Sequence, residues 1–387
     1  MEPEPSSPSE TPEPSPWRRR GLIGLAVLLV LGVIAQPVRL RVLAAAIVAD
    51  GLDLAVPRPF APEIERRQAV LAGIEADLYG PPAEGVLRAD DGPSATGLPP
   101  EADGKVVLLV PGATPAGRDD RRVVALAEAF ARGSRVVVVP ELDVYQEDLV
   151  PEDIERIVQL VMALDDAHGP VTLTGISFGG SLSLVAAGDP RLDGRVALVG
   201  TFGAYVDLGG VVQAATTGVA LVDDRRFPWD ADPRAADVVR DQILRLLTDQ
   251  DREELRQALD GVIPPTALRS EIRAAYDLLR NDDPARTPVL LEQLPQVVRD
   301  RVTAVSPARA VPDLDVPVVA LHARDDPVIP YGELRRLGTV YPEAELISLT
   351  TFDHVGIDPE QEVSWWVTVS DLWRTTRFVS RVLGAQS

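Results

Sequence analysis

The pentapeptide Gly175-Ile176-Ser177-Phe178-Gly179 follows the short apolar run Val171–Thr174 and opens an apolar helical stretch. A G-x-S-x-G between a strand and a helix is the pattern of a nucleophile elbow. The turn is so tight that side chains two before and two after the serine would collide with neighbouring backbone. Glycine avoids that clash and tolerates strained dihedrals. The serine then stands at the carboxyl end of the strand, with a helix N-terminus beneath it. Average glycine usage produces the bare pattern in roughly one chain in ten of this length. The weight therefore rests on its placement, against the competing reading of a purely structural glycine-rich turn.

A serine hydroxyl is a poor nucleophile until a base takes its proton. The chain has 3 histidines, His168, His322 and His354. The order expected with such an elbow is serine, acid, histidine. His354, in Thr350-Thr351-Phe352-Asp353-His354-Val355-Gly356, is the one in the right place. His168 precedes the elbow strand and reads as a solvated loop residue on the opposite edge of the sheet. His322 ends a strand and reads as structural, ordering the loop that carries the acid. That loop runs His322-Ala323-Arg324-Asp325-Asp326-Pro327-Val328-Ile329-Pro330. One carboxylate must orient the imidazole and stabilise its cation, and two adjacent ones cannot both point at it. The Asp-Pro-Val-Ile-Pro string favours Asp326, with Asp325 facing solvent or pairing with Arg324. Asp353 and Asp207 are further candidates.

Attack on an acyl carbon also needs two donors aimed at the developing oxyanion. The Phe178 N–H, next to the nucleophile, is one. The loop Pro111-Gly112-Ala113-Thr114-Pro115 supplies the other, from Ala113 or, second, Thr114, with Gly112 allowing close approach. The competing reading of this loop is an ordinary strand-end turn.

Positioning these groups requires a sheet. Short apolar runs at 106–110, 135–139, 171–174, 195–200, 316–321 and 345–349 alternate with segments whose apolar residues recur at helical spacing. Continuous apolar strands between amphipathic helices imply an α/β fold, a mostly parallel central sheet covered by helices on both faces. The rhythm breaks from about Val206 to Pro307, which holds helical stretches at 238–247, 253–259, 268–279 and 289–302 and no convincing core strand. Connections in α/β units are short, so this segment is expected to be an inserted helical cap. Lying between the fourth strand and the acid strand, it should lean over Ser177. Leu268, Ile272, Tyr276 and Leu279 either pack the cap or roof an acyl pocket. Few basic residues inside the cap suggest uncharged, apolar acyl esters.

The 387 residues, 45% of them hydrophobic, suffice for one sizeable core with a subdomain to spare. A net charge of −21 repels phosphate backbones and argues against nucleic acid as a partner. The absence of cysteine excludes disulfides, thiolate metal sites and a cysteine nucleophile. No metal-ligand cluster is visible in the sequence, and no cofactor is expected. The organisation expected is a Pro/Glu/Ser-rich disordered tail over 1–17, a membrane anchor over 18–38, a linker over 39–62 and the catalytic domain over 63–387. The uncharged run Gly21–Val38 would reach about 27 Å as a helix, marginally enough to span a bilayer. A cleaved signal peptide ending at Val33-Ile34-Ala35 and a buried or interfacial helix are the other readings. Arg18–Arg20 favour a cytoplasmic N-terminus and an extracytoplasmic domain, although Arg39 and Arg41 blunt that asymmetry.

From about Glu75 onward the chain resembles the α/β-hydrolase superfamily. The segments VPGATPAG, GISFGG, LHARDDPVIP and FDHVG carry the resemblance. It looks closest to bacterial enzymes of the dienelactone-hydrolase and esterase type, several of which have an early segment similar to Ala76–Pro81. Two departures stand out: Pro111-Gly112 where His-Gly is common, and Ala323 where a glycine is usual. The resemblance implies a serine hydrolase cleaving an ester-like bond. Acyl transfer on the same triad and a catalytically silent binding module are the rival readings, since the superfamily also holds amidases, dehalogenases and inactive scaffolds. Oligomeric state is not legible.

Overall fold

The computed structural model describes residues 63–82, 105–133, 135–146, 150–222, 225–351, 354 and 364–385. The tail, anchor and linker expected over residues 1–62 lie outside the described residues. Among the described residues no helix is long and apolar enough to cross a membrane.

Eight strands form one sheet: β1 (Glu65–Leu71), β2 (Ile74–Gly80), β3 (Val106–Val110), β4 (Val136–Pro140), β5 (Val171–Ile176), β6 (Val196–Phe202), β9 (Val318–Ala323) and β10 (Glu345–Leu349). Their order across the sheet is β1-β2-β4-β3-β5-β6-β9-β10. From β4 to β10 all neighbours are parallel, while β2 runs antiparallel to both β1 and β4. Crossovers at β3-β4 and after β5 put helices on both faces, so the central strands bury both sides. Alternation follows from the pleat. Leu108 and Val110 face one apolar layer and Val107 and Leu109 the other.

The first layer is covered by α2 (Glu152–His168), α3 (Phe178–Ala187) and α10 (Gly332–Val340), the second by α1 (Arg121–Arg132) and α11 (Trp365–Gly384). Helix α1 starts where the Asp120 carboxylate accepts the Arg122 N–H at 2.9 Å, an N-cap that satisfies one orphan donor of the first turn.

The hairpin β1-β2 was not legible in the sequence. Its two-residue turn is Ala72-Gly73, both at positive φ (50° and 80°). Such turns are signalled by Asn-Gly or Asp-Gly, and alanine there gives no signal.

Between β6 and β9 lies the cap. Its helices are α4 (Leu208–Thr217), α5 (Ala235–Leu246), α6 (Asp249–Leu259), α7 (Ser270–Leu279), α8 (Thr287–Glu292) and α9 (Gln296–Ala304). The single helix expected over 289–302 is two, α8 and α9, broken at Pro295. Proline lacks the N–H that would continue the helix and pushes the preceding residue out of helical geometry. The cap also contains a small antiparallel hairpin, β7 (Val219–Val222) with β8 (Arg225–Pro228), separate from the main sheet. The cap has its own apolar core around Leu255, Ile272, Ala275 and Leu278.

Candidate active site

Ser177 sits between β5 and α3 with φ 51° and ψ −127°. Left-handed backbone at a non-glycine residue costs about 1–3 kcal/mol and persists only where the surroundings impose it. Here they do. A Cβ on Gly175 would lie 2.5 Å from the Gly179 carbonyl oxygen, and one on Gly179 would overlap the Val110 and Pro111 carbonyls. The Ser177 N–H donates to the Phe202 carbonyl of β6 at 2.7 Å. Phe178 is the first residue of α3, so its N–H is one of the unpaired donors at that helix start.

The loop after β3 meets the serine. A Cβ on Gly112 would stand 2.9 Å from the Ser177 Cβ and 3.0 Å from the Ile176 carbonyl oxygen. Ala113 and Thr114 follow on the same cavity wall. The Thr114 hydroxyl is engaged elsewhere, donating to Asp120 at 2.7 Å.

His354 lies across the cavity. Its Nδ1 is 2.7 Å from Asp326 Oδ2. That contact assigns the Nδ1 proton to the aspartate side, and His354 is one of the residues lining the cavity. The other Asp326 oxygen accepts the N–H groups of Val328 and Ile329 at 2.8 and 2.9 Å, so the whole carboxylate is committed. Burial would push the Asp326 carboxyl up. The charge of His354 and hydrogen bonds from His322 and His354 outweigh it and hold the group well below the usual carboxylate range.

His322 orders this loop, as its place at a strand end suggested. It is buried, with Nε2 2.9 Å from the Ile329 carbonyl and 3.3 Å from Asp326 Oδ2.

The remaining candidates fall elsewhere. Asp325 is exposed. Asp207 caps α4, accepting the Gly209 N–H at 3.0 Å. Asp353 lies outside the described residues. His168 is not a solvated loop residue. It is the buried last residue of α2, at the amino end of β5, because the helix reaches further than its apolar stripe indicated.

The order of strands, the left-handed serine after β5 and the Asp326–His354 pair formed from the loops after β9 and β10 settle the architecture. The fold is that of the α/β-hydrolases. No family model matches the chain, and no curated protein sequence matches it. Among solved structures, a hormone-sensitive lipase from a metagenome library is 14% identical, with 95% of this chain and 98% of that one covered at a TM-score of 0.45. An esterase of the bacterial hormone-sensitive lipase family is 15% identical over 90% and 97% of the two chains, at 0.44. The 2-hydroxy-6-oxo-6-phenylhexa-2,4-dienoate hydrolase of a Rhodococcus strain is 17% identical over 81% and 99%, at 0.40. The assignment of fold rests on this chain's own strand order and elbow.

Ser177 and His354 line a single cavity, although among the described residues no hydrogen bond joins hydroxyl to ring. Such bonds often tighten only in the complex with substrate. The cap supplies the roof through Leu208, Val211 and Val212 of α4, Ile243 of α5 and Val298 of α9. Leu268, Ile272, Tyr276 and Leu279 do not reach it; they pack the cap's own core. Three cap arginines, Arg234, Arg240 and Arg301, border the cavity. Arg234 pairs with Asp232 at 3.2 Å and Arg240 with Asp237 at 2.8 Å, which offsets their charge.

Two contributors escaped the sequence. Gly203, at φ 63°, backs onto the histidine: a Cβ there would lie 3.1 Å from His354 Cε1 and 3.5 Å from Asp326 Oδ2. A glycine directly after an apolar strand was the available signal. Trp229 of the cap donates its indole N–H to the Asp326 carbonyl at 2.7 Å, for which the sequence holds no signal.

Proposed function

We propose that the chain is a serine hydrolase cleaving carboxylic esters with apolar acyl groups. The observation that carries this reading is the convergence of a left-handed Ser177 and a hydrogen-bonded His354–Asp326 pair on one apolar cavity. In this mechanism His354 Nε2 takes the Ser177 proton as the oxygen attacks the acyl carbon. The oxyanion that forms is held by the N–H groups of Phe178 and Ala113. Protonated His354 is stabilised by Asp326 and returns its proton to the departing alcohol. Water, deprotonated by the same ring, then attacks the acyl-enzyme; its proton goes to His354 and on to Ser177 as the acid leaves. Apart from water, no group outside the chain is called on.

A fluorophosphonate tests this directly. It should add once per chain, at Ser177, and Ser177→Ala should abolish both labelling and ester turnover. Labelling that persists in the variant would overturn the assignment.

The reading includes an N-terminal anchor over 18–38 and an extracytoplasmic catalytic domain, supported by the uncharged run and Arg18–Arg20. The full chain should then remain with membranes through an alkaline carbonate wash. Release by the wash, or a mature N-terminus at Gln36, would refute the anchor.

A further inference from the structure

The cavity is larger than a cap roof alone requires. Its volume is about 1430 Å³, against roughly 300–1,000 Å³ for ordinary small-molecule sites. Part of its wall lies inside the body of the protein, not beneath the cap. Val123, Leu126 and Ala129 of α1 line it, three residues apart and so on one helix face. Phe378 and Val379 of α11 line it as well. Val123, Phe378 and Val379 belong to the apolar layer that packs α1 and α11 onto the sheet.

The floor is equally telling. Ile176 and Phe202 end the central strands β5 and β6 and are only half-buried, although the residues just before them, Gly175 and Thr201, are buried. Strands covered on both faces bury their apolar runs throughout, and protein interiors are close-packed. The space therefore extends from Ser177 into the layer between sheet and helices. Thr174 and Thr375 border this part, and Asp119, Asp120, Arg121 and Arg122 line the cavity at the start of α1. The Thr375 hydroxyl is turned back onto the Asp371 carbonyl at 2.9 Å.

We infer that this internal arm, between the sheet, α1 and α11, binds a long unbranched hydrocarbon chain of the ester, while the group across the scissile bond lies under the cap. Past the charged start of α1, its walls are alkyl and aromatic: Val123, Leu126, Ala129, Ile176, Phe202 and Phe378. Helices packed on a sheet leave a space about one side chain thick, which a straight chain fills and a branched or sugar group does not. The inference rests on the hydrolase reading above and extends it to a substrate class.

The experiment compares the parent full chain in detergent with Ala129→Phe and Leu126→Trp, which plug the arm, and Val239→Phe, which narrows the cap side. Leu126 is half-buried, so the second plug keeps the test open if the first does not fold. Two series are assayed: p-nitrophenyl esters from acetate to palmitate, and acetate esters of straight alcohols of the same lengths. Fluorophosphonate titration counts active sites in each preparation. In the parent, kcat/KM should climb by up to about fourfold per methylene into the long chains of one series. Both plugs should cut the long-to-acetate ratio in that series at least tenfold, and Val239→Phe should keep it. Loss in the acyl series places the acyl chain in the arm; loss in the alcohol series places the alcohol chain there. Unchanged ratios in both plugs with full titration, or equal loss in Val239→Phe, would overturn the arm. A parent that takes no fluorophosphonate would instead overturn the hydrolase reading.

Discussion

Ser177 is fixed by residues 175–180 and the strands beside them, whereas Asp326 and His354 are fixed by segments far apart in the chain. The serine's strained backbone, its helix start and its flanking glycines belong to one strand-turn-helix unit, held by the adjoining ends of β3 and β6. The Asp326–His354 pair depends on Gly203 after β6, Trp229 in the cap, His322 at the end of β9 and the loop after it. A local device survives distant change. A device assembled from distant parts is sensitive to each of them, and the two halves of the site should therefore respond differently to substitution.

The largest effect tests the centre of the assembled half. Asp326→Asn should lower kcat by about three to four orders of magnitude, because the amide favours the wrong imidazole tautomer. Asp325→Asn, at an exposed neighbour, should stay within about twofold. Reversed effects in steady-state kinetics would move the acid by one residue.

Gly203→Val should come next, lowering kcat about ten- to a hundredfold by displacing His354. Stoichiometric labelling of Ser177 should survive at a slower rate, since the elbow is untouched. Complete loss of labelling in a folded variant would show that the two halves are not separable.

Trp229→Phe removes one hydrogen bond to the acid loop and keeps the ring. A bond of this kind is worth about 0.5–1.5 kcal/mol, so kcat should fall between about twofold and tenfold with little change in KM. A change confined to KM would make Trp229 a wall of the pocket and nothing more.

The smallest effect is in acid stability. Because the native Asp326 carboxyl is depressed, its ionisation stabilises the fold above the ordinary carboxylate pKa of about 4. That contribution is lost as pH falls further, through the depressed native value. The difference in urea midpoint between parent and Asp326→Asn should thus narrow from pH 7 to pH 3. A widening gap would reverse the sign of the shift.

The same contrast explains what the sequence made legible. The elbow could be read because its pattern is written in neighbouring residues, and β3 and β4 because strands buried on both faces are uninterrupted apolar runs. Pro327 and the string after it pointed to Asp326, the carboxylate that contacts His354. Trp229 was not legible, because a hydrogen bond spanning 97 positions leaves no mark on either segment. The hairpins β1-β2 and β7-β8 were missed for a different reason. β1, β2 and β8 are half-polar, β7 is only four residues long, and the β1-β2 turn lacks the asparagine or aspartate that usually announces it. The two-part cavity was beyond sequence reasoning altogether, since it depends on how α1 and α11 lie against the sheet.

The cap's ties to the body converge on the acid side. The Asp232 N–H donates to the Pro327 carbonyl at 2.8 Å, beside the Trp229 bond. Arg336 of α10 donates to the Leu221 carbonyl at 2.8 Å, and buried Glu333 accepts the Val206 and Asp207 N–H groups at 2.9 and 2.8 Å. A roof exchanged wholesale for that of another enzyme would leave the serine's turn whole and would strip the Asp326 loop of its donors. On the proposed reading, selectivity and turnover would be inherited together: whatever redraws the ceiling of the cavity would also retune the His354–Asp326 pair beneath it.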